Sequence, residues 1–432
     1  MTGLGTALLT CATGLVRGDT SDVKNVITGK AAFTSYKGES PGTFRKITVA
    51  DLPDPYATEA VSNGPKVVAR PADAWPKAPP GFTVQLYTQP SAPPREVRTA
   101  PNGDLFVAES YKGQVEVFRG ITPDGKPEQQ SIFATGLRNN FGIAFYPLGS
   151  NPQWVYIGNT NSVVRFPYKS GDLKASGPPE TIIPKLPAGG GHWTRDLAFS
   201  PDGKKLFVAV GSASNVAEND PELQGPEFHR ANILEFTPEG KFVKVYASGI
   251  RNPVGIAIDP SSGHLWCSVN ERDNLGDNLV PDYITSVKED GFYGWPWYYM
   301  GDHQDPRHAG KHPELKGKVI VPDVLLQPHN ASLEMTFYEA NQFPKEYEGD
   351  IFAAEHGSWN RAARSGYEVV RVPLKSGKAA GEYEDFLTGF VTSDGNAWGR
   401  PVGVAVASDG SLMVTDDGSK SIWRITYAGS TR

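Results

Sequence analysis

The chain has 432 residues and a formal net charge of −6, with no run of Lys or Arg, so it carries no electrostatic footprint for nucleic acid or an anionic membrane. No stretch approaches the ~18 uninterrupted apolar residues of a membrane-spanning helix, although 39% hydrophobic residues supply ample material for a packed core. Two cysteines, Cys11 and Cys267, make no disulfide framework, and no Cys-x-x-Cys-His encodes a covalently attached haem.

The first 16 residues, Met1 to Val16, are short and mildly apolar. Three readings are open for them. One is a secretory-signal remnant, although no Lys or Arg precedes the apolar part; another is a lipoprotein box at Leu8-Leu-Thr-Cys11, although Thr10 is larger than the usual residue there; the third, which we prefer, is an ordinary start. Residues 17–80 are polar and Pro-rich, and we expect an extended arm on the outside of the domain. From Ala78-Pro-Pro-Gly-Phe-Thr-Val-Gln-Leu-Tyr87 onward a repeating unit takes over: a short apolar strand, a tight turn, a second strand, and in most copies a further strand-like run. The copies begin near residues 97, 142, 196, 254, 335 and 402. The clearest is Asp196-Leu-Ala-Phe199, Pro201-Asp-Gly203, Leu206-Phe-Val-Ala-Val210, whose middle segment has turn chemistry. Units of roughly 40 to 50 residues plus insertions predict an all-β fold, a six-bladed β-propeller of four-stranded antiparallel blades over residues 81–432. Cys267 lies in one of the predicted strands and reads as a buried free thiol.

Departures from the blade period are expected to be loops gathered at one rim of the channel. Four stretches stand out: Gly189-Gly-Gly-His192; Gly249-Ile-Arg-Asn-Pro-Val-Gly255; Val269-Asn-Glu-Arg-Asp273 with Gly291-Phe-Tyr-Gly-Trp-Pro296; and Trp398-Gly-Arg-Pro-Val-Gly403. Arg138, Arg251 and Arg400 each stand just before the first strand of a blade. Such an arginine either bonds carbonyls of a neighbouring loop as a feature of the repeat or offers its fork to a ligand's carboxylate and quinone oxygens; for Arg251 and Arg400 we favour the second.

These motifs, in this order and at matching blades, resemble the soluble glucose and sorbosone dehydrogenases, six-bladed propellers that oxidise sugars with pyrroloquinoline quinone and calcium. The resemblance covers about residues 80–428. It implies that His192 is the general base that takes the proton of the sugar's anomeric hydroxyl, where an imidazole with an ordinary pKa near 6.5 suits the task. The plain alternative is a loop histidine bonded to a backbone carbonyl. It further implies that Arg251 and Asn252 meet the quinone oxygens, with Arg251 stabilising charge that develops on reduction; that Arg400 holds a cofactor carboxylate; and that Glu271, Arg272 and Asp273 mark the calcium loop. Three departures are plain. Gly191 stands where the glucose-oxidising members carry an Asp that orients the base, Glu355-His-Gly-Ser-Trp-Asn-Arg361 replaces the cofactor lysine and leaves His356 and Arg361 as substitutes, and the metal loop lacks Gly-Pro. The implied partners are a small sugar and an external electron acceptor, the implied location periplasmic or extracellular, with a lipid anchor at Cys11 as one form of it, and the implied state a monomer or homodimer. Two other classes stay open: a calcium-dependent lactonase, which wants a carboxylate cluster at the channel mouth, and a non-catalytic partner-binding propeller.

Overall fold

The computed structural model describes residues 25–220 and 222–429; the readings placed on Met1 to Val16 and Cys11 lie outside them. Six four-stranded antiparallel blades form, taken here in chain order as blades one to six. Their inner strands are Val97–Thr99, Ile143–Tyr146, Leu197–Phe199, Asn252–Ile258, Ser332–Phe337 and Pro401–Val406. Each inner strand touches the inner strand of the next blade, and that of blade six returns to blade one, so the ring is closed. The closure is made by a strand that precedes the first blade: Phe82–Thr88 pairs antiparallel with Ser421–Tyr427 as the outer strand of blade six.

The apolar runs read from the sequence are strands buried on both faces, because each blade is covered by two neighbours. Leu206–Val210 is buried at every position and pairs with Leu197–Phe199 in the register Leu197↔Val208 across the expected turn. Gly203 takes a φ of +67° there, which a side chain resists. Aromatic rings fill the wedge between blades. Between blades one and two, the fully buried Phe106 meets Phe133, Phe145 and Tyr168 edge-on at 5.0, 5.1 and 5.8 Å. Truncating Phe106 to Ala would remove all three contacts and cost about 3 to 5 kcal/mol. Cys267 is a fully buried free thiol, as expected, its pKa raised by burial.

The arm lies outside the ring and adds strands that its sequence did not announce. Thr43–Lys46 pairs antiparallel with the outer strand of blade five, Glu382–Leu387, and Val26–Thr28 pairs parallel with Thr43–Lys46. This covers an otherwise open sheet edge. Buried Arg45 and Asp385, 3.0 Å apart, tie the arm to the blade. Further on, the arm reaches the loops above blades four and five, where Thr58 Oγ1 accepts from the Asp277 amide and Asn63 donates to the Arg361 carbonyl. No helix of the described residues is long and apolar enough to cross a membrane.

Candidate active site at one mouth of the channel

In an antiparallel blade the start of the first strand lies beside the end of the second. The pairs Asn252↔Asn270, Ser332↔Glu355 and Pro401↔Asp416 show this directly. Residues before the first strands (His192, Arg251, Arg400) and after the second (Glu271 to Asp273, His356) therefore share one mouth. Gly211 is where His192 and Asn252 meet: a Cβ there would stand 2.7 Å from His192 Cβ and 2.1 Å from Asn252 Oδ1.

The orienter of His192, missing from the position before it, comes from the next strand end. Nδ1 lies 2.9 Å from the Ser212 carbonyl and 3.0 Å from Ser212 Oγ, while that hydroxyl donates onward to the Ser214 carbonyl at 2.6 Å. Both oxygens facing Nδ1 are acceptors, so the proton sits on Nδ1 and Nε2 carries the lone pair. The loop itself is wrapped by two buried arginines. Arg230 donates to the carbonyls of Gly189, Gly211, His192 and Ser212, and Arg195 to those of Pro187, His192 and Thr194. Gly190, at φ +72°, must be glycine, since a Cβ would lie 2.2 Å from the Ala213 carbonyl oxygen. Burial, followed by the Arg251 cation, pushes the His192 pKa down to about 3, against the bond to Ser212. The imidazole is thus neutral at any ordinary pH.

Arg251 is buried and its donors are all engaged by protein. Nε donates to the Asn215 carbonyl, Nη1 to the carbonyls of Glu271 (2.7 Å) and Asn270 (3.4 Å), and Nη2 to Asn215 Oδ1 and Asp273 Oδ2. Asn252 donates to Asn270 Oδ1, and its own buried Oδ1 has no protein partner. In the loop expected to hold calcium, the carbonyls of Asn270 and Glu271 face Arg251, and that of Asp273 accepts from Arg272. Arg272 itself is paired with Asp305 at 2.6 Å, and the Glu271 carboxyl, pushed up to about 8 by burial, accepts from the Arg272 amide. Two guanidinium groups thus stand against the carbonyls a calcium ion would need. In this arrangement Glu271, Arg272 and Asp273 do not fit a calcium site, because a resident cation repels a second one.

The opposite side of the same mouth, from blades five, six and one, is built differently. His356 Nε2 meets Asp417 Oδ1 at 2.9 Å, and Asp417 Oδ2 accepts from Arg95 at 2.6 Å. Burial and the Arg400 cation lower the His356 pKa to about 4, while the cations around Asp417 hold that carboxylate well below its usual range. Arg400 donates through Nε to the His356 carbonyl at 3.1 Å, and among the described residues its terminal nitrogens have no hydrogen-bond partner. Trp193, next to His192, lies 5.3 Å from the Arg95 guanidinium and joins the two sides. Between them is a small apolar floor of Phe141, Val254, Leu333 and Val402, with Trp193 against it. Arg361 is not at the rim: it is buried among Gln327, Ser365 and Asn278, because that interior offers the neutral oxygens its fork needs. Arg138 is exposed.

Sequence reasoning missed Ser212, Arg230, Arg95 and Asp417. Arg95 had a signal, since it precedes the first strand of blade one as Arg251 and Arg400 precede theirs. The other three act on partners brought near only by the closed ring.

The closed propeller thus carries, at one mouth, an apolar floor, a set of arginines and one histidine held neutral. The family model for glucose/sorbosone dehydrogenase matches residues 91–424, and the chain belongs to that family. It is similar to a pyrroloquinoline quinone-dependent pyranose dehydrogenase of Coprinopsis cinerea, with 25% identity over 408 residues, 80% of this chain and 54% of that protein. It is also similar to the aldose sugar dehydrogenase YliI of Escherichia coli, with 29% identity over 205 residues, 44% of this chain and 52% of that protein. The chain thus spans about half the length of these curated relatives. Among solved structures, a Trichoderma reesei enzyme of carbohydrate-active family AA12 superposes with a TM-score of 0.71 at 19% identity, covering 84% of this chain and all of that one, 100%. The holo quinone domain of the Coprinopsis enzyme gives 0.67 at 22%, covering 83% and 100%.

Proposed function

We propose that the chain is a quinoprotein sugar dehydrogenase that oxidises an aldose or related sugar and passes the electrons to an external acceptor, working outside the cytoplasm. The observation that carries this reading is the combination of apolar floor, unpartnered Arg400 fork and tautomer-locked neutral His192 at one mouth. These fit pyrroloquinoline quinone, a flat molecule with carboxylates and ring oxygens: the floor takes the ring plane, Arg400 a carboxylate, and the Asn252 amide nitrogen, which gives one hydrogen to Asn270 Oδ1, donates the other to a ring oxygen. When bound, that group supplies the hydride acceptor. His192 takes the proton of the anomeric hydroxyl on Nε2, and the Nδ1 bond to Ser212 holds the ring in place and shares the positive charge that results. Arg251 is the positioning residue that braces the loops on either side of the base. Its charge also keeps the imidazole free of a proton before substrate arrives. A base with so low a pKa is weak, and a carboxylate ligand at the rim offsets the cations and raises it.

The lactonase reading is weakened by the placement of the carboxylates: Glu96, Asp196 and Glu334 converge on the channel beneath the floor and not at its mouth. The test is dye reduction by the full chain, loaded with the quinone, across a panel of aldoses with and without calcium. Turnover with at least one sugar is expected; a loaded protein that reduces no dye with any sugar, while binding the quinone, would leave only a binding propeller.

A further inference from the structure

Below the apolar floor the repeat is broken in an ordered way. At the position just before the second-layer apolar residue of each inner strand stand Glu96, Gly142, Asp196, Gly255, Glu334 and Gly403, in blades one to six. Carboxylates and glycines alternate around the ring. The glycines are there for space: a Cβ on Gly142 would lie 2.7 Å from Asp196 Cα, one on Gly255 2.8 Å from Glu334 Cα, and one on Gly403 2.9 Å from the Val97 amide. Each glycine is also bonded to the following blade. Gly142 N–H donates to the Arg195 carbonyl; Gly255 N–H reaches Ser268 Oγ, which donates to the Leu333 carbonyl; Gly403 N–H reaches Thr415 Oγ1, which donates to the Arg95 carbonyl. The outcome is pseudo-threefold, with blades one, three and five each sending one carboxylate to the axis.

The three carboxylates offer ligand atoms all within 4.8 Å of one another, and all three residues are fully buried. Among the described residues Arg98 is their one close cation, its Nη2 at 2.8 Å from Glu96 Oε1 and 3.2 Å from both Asp196 Oδ1 and Glu334 Oε1. Asp196 is further satisfied by the amides of Leu197 and Ile256, and Glu96 Oε1 by that of Ile143. Among the described residues nothing donates to the buried Glu96 Oε2 and Glu334 Oε2, and the Glu96 carboxyl lies within hydrogen-bonding reach of the Asp196 carboxyl. Arg98 also lines a cavity of about 380 Å³ at the far end of the channel, with Ala144, Ala198, Ala257 and Thr336, so it closes the ring from below. Three desolvated carboxylates against one guanidinium leave two negative charges uncompensated, which burial does not tolerate.

We propose that this ring is a structural binding site for one hard divalent cation, calcium by preference, held by Glu96, Asp196 and Glu334 on the face opposite Arg98. Carboxylate-only donors select a hard ion, and three carboxylates with up to six oxygens suit calcium, which takes six to eight oxygen ligands in flexible geometry, better than magnesium, which demands a near-ideal octahedron and keeps its waters. The site pins three alternate blades to one point, directly beneath the floor of the mouth. The competing way to remove two charges is two protons, one on each glutamate, and burial with mutual repulsion does raise both carboxyls well above their usual range.

The two are separated with the full chain and no added quinone. Elemental analysis after dialysis without chelator is expected to find one calcium per chain, lost on treatment with EGTA. The melting temperature should fall on chelation and return with calcium. Glu96→Gln with Glu334→Gln, and Glu334→Gln alone as the milder change, should hold no ion and show no calcium response. A wild type that retains no ion and melts at the same temperature with EGTA or calcium overturns the proposal, whatever the variants do. So does a glutamine variant that keeps the wild-type ion and response, since the ion would then lie elsewhere, or one that melts higher than wild type in calcium, as neutral amides replacing protonated acids would.

Discussion

Arg251 and Arg400 each stand directly before an inner strand, four residues ahead of Gly255 and three ahead of Gly403, and they end in opposite states. Arg251 is sealed among Asn215, the carbonyls of Asn270 and Glu271, and Asp273. Arg400 gives one bond to the His356 carbonyl and keeps its fork free. The repeat therefore decides where an arginine emerges, while the neighbouring insertion decides whether it braces the scaffold or receives a ligand. Blade four has a long insertion after its second strand that folds back onto Arg251. Blade six has only the short turn at Asp417, whose carboxylate is already held by His356 and Arg95.

The strongest way to break this contrast is at the base beside the sealed arginine. His192→Gln should leave quinone binding in place and lower sugar oxidation by about 10² to 10⁴, the usual contribution of a positioned base; equal loss of quinone affinity would place His192 in the binding rim instead. Next, Arg251→Ala should act mainly on the fold, because it leaves buried carbonyls and the Asp273 carboxylate short of a partner. The expected cost is about 3 to 5 kcal/mol, read as a large drop in melting temperature in the protein without quinone. Arg400→Ala should do the reverse: little change in melting, and quinone affinity weaker by roughly 1.5 to 3 kcal/mol, the range of one charge-assisted hydrogen bond. If the two variants behave alike in both assays, the contrast fails.

The smallest effect is in pH dependence. His192 and His356 have folded pKa values pushed down to about 3 and about 4, below an unfolded value near 6.5. Between those limits the unfolded chain binds the extra protons, so stability is fully present above about pH 6.5 and is lost as the pH falls toward 3. Melting scans across that window check it, and His356→Asn should flatten part of the slope. In kcat/KM, His192 should give no acid limb near neutrality, while Arg251→Ala, by removing a cation beside the imidazole, should move any such limb upward.

Much of the architecture could be read from residues because each hairpin carries its own turn and apolar pair, as in Leu197–Phe199 and Leu206–Val210. The arm was harder. Thr43–Lys46 has no hairpin partner nearby and becomes a strand only on meeting Glu382–Leu387. At the site, the places of His192, Arg251, Asn252 and Arg400 were legible from the inner strands they precede or open, and the ring brings them to one mouth, but the ligand-facing fork expected of Arg251 is spent on Asn215, Asn270, Glu271 and Asp273. Arg361 was misplaced because its partners, Gln327 and Asn278, come from blade four and its insertion. The metal loop was misjudged for a related reason: nothing in Asn270 to Asp273 shows that its carbonyls are taken by guanidinium groups. Ser212 was invisible as the partner of His192, since a carbonyl carries no sequence signature.

Sugar oxidation by this chain requires a neutral His192 working beside a bound quinone. The most direct measurement is the absorbance of the quinone bound to wild-type protein, without oxygen or dye, as an aldose is added. The expected result is saturable binding of the quinone followed by bleaching on addition of sugar, with the bleaching, and not the binding, abolished in His192→Gln. Wild-type protein that fails to bind the quinone, or whose bound quinone is unchanged by every aldose, would contradict it.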